Sequence, residues 1–404
     1  MRGETVMKKI DVLYAPKAGE EKRVGQLGED RNRFYFEFAP SFLSDGFQLS
    51  PFKLTMVPGV QEFTALPGVF DDALPDGWGR LLMDRFIRQQ GANPAEFTAL
   101  DRLAWMGDHA MGALVFHPPR ELPHADAGKG FALGRLAQEA QDVFEGETKM
   151  VLPELLRAGG SPGGARPKVL VGIKGETVFT GSEPYPPGYE AWMVKFFAKT
   201  DSPETGLIEA AYADMAQKAG IDFPAHRILE VKEGRFFSVK RFDRDGERRI
   251  HMHSLANLIG ADFRIPSLDY QDIFKALRLL TNDQEETEKL FRLMVFNVLA
   301  HNRDDHSKNF AFLYCPTKGW RLSPGFDLTY TEGPGGEHTT TVAGEGKNPG
   351  RKELFDVGQG VGMKEARMKE LYGHVSDAVA QWPTIAKRYG IRKKTIAGFR
   401  ATGR

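Results

Sequence analysis

Ten residues, His301-Asn302-Arg303-Asp304-Asp305-His306-Ser307-Lys308-Asn309-Phe310, crowd acids, bases and amides between two apolar segments, LFRLMVFNVLA before and AFLY after. Buried charge is costly unless paired, so such density between core segments points to chemistry rather than packing. Asp304 and Asn309 stand five apart, the D-x-x-x-x-N spacing of a phosphotransfer loop. In such a loop the Asp positions or deprotonates the attacking hydroxyl and the Asn binds Mg²⁺. Two other readings stay open: a His/Asp metal site on His301, Asp304, Asp305 and His306, and a solvated turn.

Three further pieces fit phosphoryl transfer. Gly159-Gly160-Ser161-Pro162-Gly163-Gly164-Ala165-Arg166-Pro167-Lys168 runs straight into VLVGI. Its glycines let backbone N–H groups approach a phosphate. It lacks the Gly-Lys-Ser/Thr and following helix of a Walker loop, so it reads as a strand–turn–strand cover over phosphates or as a plain surface loop. Lys195 in WMVKFF is either a solvated strand lysine or a phosphate-holding one, with Glu209 as the acid that would orient it. Asp327 in LSPGFDL follows Asn309 by 18 residues, after a strand-like AFLYC and a Lys-Gly turn, and suits a second Mg²⁺ ligand. The order Gly loop, lysine, Asp…Asn, metal Asp gives weight to four pieces that are weak singly.

The elements that must position them follow from periodicity. RFYFEF (Arg33 to Phe38) alternates as a half-buried strand, and DGWGRLLMDRFIRQQG has helical spacing with Gly91 as its stop. A mixed subdomain is expected over residues 1–125. A strand-rich section over 126–250 carries VLVGI, TVFTG, WMVKFF and GRFFSVKRF with one helical interruption, LIEAAYADMAQKAGI. Helical patterns dominate 251–404, where a cleft between the two lobes is the default ligand site.

The 404 residues carry 54 basic and 54 acidic side chains, so there is no global pull toward nucleic acid or acidic membrane. One cysteine, Cys315, excludes an internal disulfide framework and a cysteine-based zinc site. No signal-like start or apolar run of about 18 residues occurs, so a cytoplasmic protein without a membrane role is expected. The last seventeen residues carry Arg388, Arg392, Lys393, Lys394, Arg400 and Arg404 with no acid. They form either a solvated end or a DNA contact.

On these motifs the chain resembles the HipA-type kinases, toxin components of bacterial type II toxin–antitoxin pairs, over nearly its whole length. LPDGWGRLL and MGALVFHP resemble the family's amino-terminal subdomain, GGSPGGARPKVLV its phosphate loop, SVKRFDR its inter-lobe segment, and DDHSKNFAFL and SPGFDLTY its catalytic and metal loops. The resemblance implies an α+β, two-lobed protein-kinase-like fold: a strand-rich N-lobe with an extra N-terminal subdomain, and an all-helical C-lobe. It implies Asp304 as catalytic aspartate, Asn309 and Asp327 as Mg²⁺ ligands, and Lys195 as the nucleotide lysine. It further implies Ser161 as an autophosphorylated serine and Gly163, Gly164, Ala165, Arg166, Pro167 and Lys168 as the loop covering ATP. Lys240, Arg241 and Phe242 match the adenine-side segment, whose first residue is acidic in some members, so Lys240 is a departure. His306, Lys308 and Phe326 fall within the matched loops as further nucleotide-site residues. The implied partners are a HipB-like helix-turn-helix antitoxin, operator DNA through that complex, and a protein acceptor such as an aminoacyl-tRNA synthetase. A small-molecule kinase and a non-toxic co-repressor are the competing expectations.

Overall fold

A computed structural model describes residues 7–31, 33–44, 47–120, 132–148, 150–159, 163–180 and 183–399. The chain divides into two compact units, Met1–Ser202 with Leu229–His253, and Pro203–Ile228 with Ser254–Arg404.

In the first unit, β1 (Lys8–Tyr14), β2 (Lys22–Asp30), β3 (Arg33–Phe38) and β4 (Val60–Phe63) join β5 (Leu114–His117) in a sheet of order β4-β3-β2-β1-β5. RFYFEF is β3, as its alternation predicts. Helix α1 (Gly77–Gln89) starts where the Asp76 carboxylate accepts the Gly77 N–H, and it buries Trp78, Leu82, Met83 and Phe86. Helix α2 (Ala99–Met106) opens with a Thr98–Asp101 capping box. Helices α3 (Leu133–Glu145) and α4 (Pro153–Gly159) lead to the second sheet. There β6 (Lys168–Lys174), β7 (Thr177–Phe179), β8 (Glu190–Lys195), β9 (His226–Val231) and β10 (Gly234–Lys240) lie in the order β7-β6-β8-β10-β9.

Residues 1–125 and most of 126–250, separated in the sequence analysis, share this unit, and hydrogen bonds tie the two sections together. The Gly112 N–H donates to Asp243 Oδ2 at 2.8 Å, and Arg249 donates to the carbonyls of Asp108, Ala110 and Gly112.

In the second unit, helix α5 (Thr205–Lys218) is the interruption that the sequence analysis groups with residues 126–250; it packs here instead. Its buried Tyr212 hydroxyl donates to the Ala300 carbonyl at 2.8 Å. Short strand β11 (Leu268–Asp269) precedes α6 (Tyr270–Thr281), whose Asp269–Asp272 capping box sets its first turn. Helix α7 (Gln284–Leu299) is capped by Asp283 and buries Leu290, Phe291, Met294 and Phe296. The hairpin of β12 (Ala311–Cys315) and β13 (Gly319–Leu322) is anchored to α7 through buried Glu286, which accepts the Leu322 N–H at 2.7 Å. Strand β14 (Thr340–Thr341) pairs in parallel with β11. Helices α8 (Arg351–Gly360), α9 (Glu365–Ala380), α10 (Trp382–Arg388) and α11 (Lys393–Gly398) complete the unit. The expectation of an all-helical C-lobe therefore takes a correction: short strands flank both loops that carry the acids, because a hairpin brings Asp327 back along the chain's own path.

His251, fully buried in the first unit, donates from Nε2 to the Leu49 carbonyl at 3.0 Å, and burial lowers its pKa from 6.5 to about 4. The unfolded chain takes up this proton near pH 6.5 and the folded one only near 4. The stability it contributes is therefore complete above pH 6.5 and is lost as the pH falls toward 4. This one group accounts for a loss of at most about 1.4 kcal/mol per pH unit in that window. Urea titrations of wild type and His251→Gln between pH 7 and 4.5 check this: the variant should show a pH slope shallower by about one proton.

Candidate functional site

Each unit carries part of the predicted machinery. In the first, the described part of the glycine loop spans Gly163 to Lys168. Three of its carbonyls are taken within the protein: Lys168 Nζ donates to Gly163 O at 2.6 Å, the Trp78 N–H to Gly164 O at 2.9 Å, and the Phe196 N–H to Pro167 O at 2.9 Å. The amides of Gly164, Ala165 and Arg166 have no hydrogen-bond acceptor among the described residues. A turn whose successive N–H groups stay open is suited to cradle an anion. Gly164 sits at φ +95, and a Cβ on Gly77 would lie 2.4 Å from Gly164 O, so two glycines set how closely α1 approaches the loop.

Lys168 faces Lys195 directly across β6 and β8, so the two side chains share one face. Like charges placed opposite each other repel, which favours an anion nearby. Lys168 is 4% exposed and uses its ammonium to hold Gly163, so its role is to shape the loop from beneath. Lys195 is half-buried, with Nζ 5.9 Å from the centre of the Phe237 ring. Arg166 pairs with Asp201 at 2.7 Å. Ser161 lies outside the described residues.

The segment from Lys240 to Phe242 reads differently in space. Lys240 pairs with Glu190 across the sheet at 2.5 Å. Each nitrogen of the Arg241 guanidinium donates to an acid, Asp243 (2.9 and 2.8 Å) or Glu183 (2.5 Å), and Arg244 joins the same two acids. Burial alone would raise the Asp243 and Glu183 pKa values, but the two guanidiniums outweigh it and hold both carboxyls below the usual range. The Arg241 side chain is thus a structural tie, and only the backbone here and half-buried Phe242 stay candidates for a nucleotide.

In the second unit, His301 breaks out of α7 at φ +54. Asp304 and Asp305 then take opposite roles. Asp305 is 1% exposed and accepts from the Tyr270 hydroxyl (3.0 Å), His338 Nδ1 (2.9 Å) and the N–H groups of Thr339 (3.0 Å) and Thr340 (3.2 Å). A carboxylate only accepts, so Nδ1 of His338 carries its proton. The Asp304 side chain is 61% exposed, and the His306 imidazole lies 3.9 Å from it. Lost hydration raises its pKa; His306 opposes this, and the negative charges of Asp327 and Asp305 add to it.

Asn309 closes the turn by donating from Nδ2 to the Asp304 carbonyl at 2.7 Å, which leaves its amide oxygen as an acceptor. Lys308 Nζ lies 4.6 Å from the centre of the Phe263 ring, which also packs against His306. Asp327 is exposed and held at φ +51, a conformation that Asp tolerates better than most residues. Gly325 just before it is buried, and its N–H donates to Asp222 O at 2.7 Å; a Cβ there would press on Ile221 at 3.0 Å. Phe326 is half-buried.

The donor set fits one reading better than its rivals. An amide oxygen and a carboxylate are hard oxygen ligands of the kind Mg²⁺ takes. No group of three or more His, Cys, Asp or Glu suited to a metal occurs among the described residues, and Asp305 has no lone pair to spare, so the His/Asp site is not formed. Glu209 is half-buried on α5 in this unit. Arg303, absent from the predicted set, is buried and donates to the carbonyls of Gly336 and Lys347, spreading the loop beyond Asp327 over the turn. Of the basic C-terminal residues, Arg392 donates to Glu204 at 2.9 Å and Arg388 lies 3.8 Å from Asp214, while Arg400 and Arg404 lie outside the described residues.

Asp304 and Asp305 should separate cleanly in melting experiments. Asp305→Ala leaves four buried donors without an acceptor and should cost about 3–5 kcal/mol. Asp304→Asn should leave the melting temperature unchanged, and equal losses for the two variants would contradict the division of roles.

The profile of the HipA-like C-terminal domain matches residues 160–382, and that of the HipA N-terminal domain matches residues 18–117. Two proteins of Sinorhizobium fredii, both provisionally named kinases, are similar. Y4dM is 29% identical over 157 residues, which are 35% of this chain and 37% of Y4dM; the chain thus matches about a third of that protein. Y4mE is 27% identical over 337 residues, 76% of this chain and 75% of Y4mE. Among solved structures, a chain of the Shewanella oneidensis MR-1 complex of HipA, HipB and operator DNA aligns with TM-score 0.71 and 17% identity. The alignment spans 96% of this chain and 93% of that one and shows that the two share a fold, a mixture of strands and helices. With one profile alone spanning more than half of its length, the chain belongs to the HipA family.

Proposed function

We propose that this chain is a Mg²⁺- and ATP-dependent protein serine/threonine kinase, the toxin half of a toxin–antitoxin pair. The observation that carries the reading is the split between adjacent acids: Asp305 is buried under four donors while Asp304 is presented to solvent beside Asn309. Such a turn exposes one carboxylate as a base on a rigid support.

Magnesium-bound ATP, when present, supplies the transferable phosphoryl group with its charge partly neutralised. Asp304 accepts the proton of the acceptor hydroxyl as that oxygen attacks. Asn309 and Asp327 offer oxygen ligands to the metal. The open amides of Gly164 to Arg166, with Lys195, bind phosphate oxygens, and Lys308 and His306 flank the base. Phosphate on Ser161 would add about −1.5 to −2 charge to a loop that cradles phosphates, so self-phosphorylation should silence the enzyme. The acceptor is a protein serine or threonine, with an aminoacyl-tRNA synthetase as the first to test. The Shewanella HipA was solved with HipB and operator DNA, which supports a HipB-like partner and an operator complex here.

Purified protein with Mg²⁺ and ATP, followed by intact and peptide mass, tests the reading. One phosphate should appear on Ser161, and Asp304→Asn should lose at least about 100-fold in transfer rate. Undiminished transfer by folded Asp304→Asn would remove Asp304 as the base.

A further inference from the structure

The chain on both sides of Asp304 is fastened to one short segment, His338-Thr339-Thr340, which lies beyond the metal-loop aspartate. On the N-terminal side the Arg303 carbonyl accepts both the N–H and the hydroxyl of Thr339, at 3.1 and 3.0 Å. On the C-terminal side the Asp305 carbonyl accepts the Thr340 hydroxyl at 2.5 Å, and the Asp305 carboxylate takes His338 and both threonine amides. Asp304 between them keeps its own carboxylate clear of the segment.

The fastening is built into the core. A hydrogen-bonded chain runs from Asn302 to Asn297 (3.0 Å), to the Tyr270 hydroxyl (2.9 Å), to Asp305 and on to His338, and every member is at most 4% exposed. The segment is also held from its other end, where β14 pairs with β11 and the Thr341 hydroxyl donates to Asp269 Oδ2 at 2.6 Å. Asp269 in turn caps α6, so the segment's place is set by a helix start and not by the loop itself.

Resting on the kinase reading above, we infer that His338, Thr339 and Thr340 are positioning residues that hold Asp304 in its working place through Asp305. In enzymes whose post-metal loop is ordered by phosphorylation, an added phosphate recruits a basic group to fix the loop. Here an internal carboxylate fixes it, so the loop is in place without modification. His338 touches neither substrate nor metal in this scheme and acts only through Asp305.

Two readouts on His338→Ala, His338→Asn and Thr340→Val test this: hydrogen exchange over residues 300–310 and 336–343, and the kinetics of phosphate transfer from Mg²⁺–ATP. In His338→Ala the two segments should lose protection together while α6 and α7 stay protected. Turnover kcat should fall about 10- to 100-fold, as expected for a misplaced reacting group, with KM for ATP changed less than about twofold. His338→Asn keeps a donor near the Nδ1 position and should restore most of both. Wild-type kcat in His338→Ala, or exchange that rises in 336–343 alone, would overturn the inference. If His338→Ala does not fold, Thr340→Val carries the same two expectations, because it removes one hydrogen bond at little change in volume. Wild-type protein without phosphate transfer would count against the kinase reading, and the exchange measurement would still decide whether the two segments move as one.

Discussion

The second unit is organised around a carboxylate taken out of water. An ion of this kind is costly to bury, and it is tolerated only when donors replace the lost hydration. Asp305 receives them from α6 and from the side chain and backbone of the segment around β14, so two stretches distant in sequence must meet its loop before the charge is satisfied. Misplacing any one leaves an uncompensated charge. That penalty ties the geometry around Asp304 to the folding of this unit.

The first unit repeats the device. Asp243 lies between Arg241 and Arg244, with Glu183 sharing both guanidiniums, and the Gly112 amide completes its shell. In both units the motif that looks most chemical contains a buried acid whose work is structural. Asp305 and Asp243 spend their charge on the fold, and in the loop from His301 to Phe310 the neighbouring residue is thereby left exposed. Two adjacent aspartates are chemically identical in the chain and differ only in how many donors reach each of them.

The elements were largely legible. Strict alternation in RFYFEF, the helical spacing of DGWGRLLMDRFIRQQG, and the turn between AFLYC and the strand after it are local signals, and each reappears where the pattern places it. The four-part order of glycine loop, lysine, Asp…Asn and acid was legible for the same reason, since reactive groups must sit at fixed offsets within a loop. Arg303, Tyr270, His338 and Thr340 were not. A buried polar residue gives no sequence signal of its own, because its meaning lies in partners up to 44 residues away.

The sequence by itself determined which residue types stand at which spacing: the D-x-x-x-x-N offset, the glycines of the loop ahead of VLVGI, and the periodicities that make strands and helices. Those are properties of neighbours along a chain. Only the tertiary structure decided which of two adjacent aspartates is buried, that the Arg241 guanidinium is held by two acids, and that Lys168 lies beneath its loop while Lys195 stands opposite it. The physical reason is that hydration is lost through contacts made across the fold, and a charge becomes either a tie or a reagent according to what replaces its water.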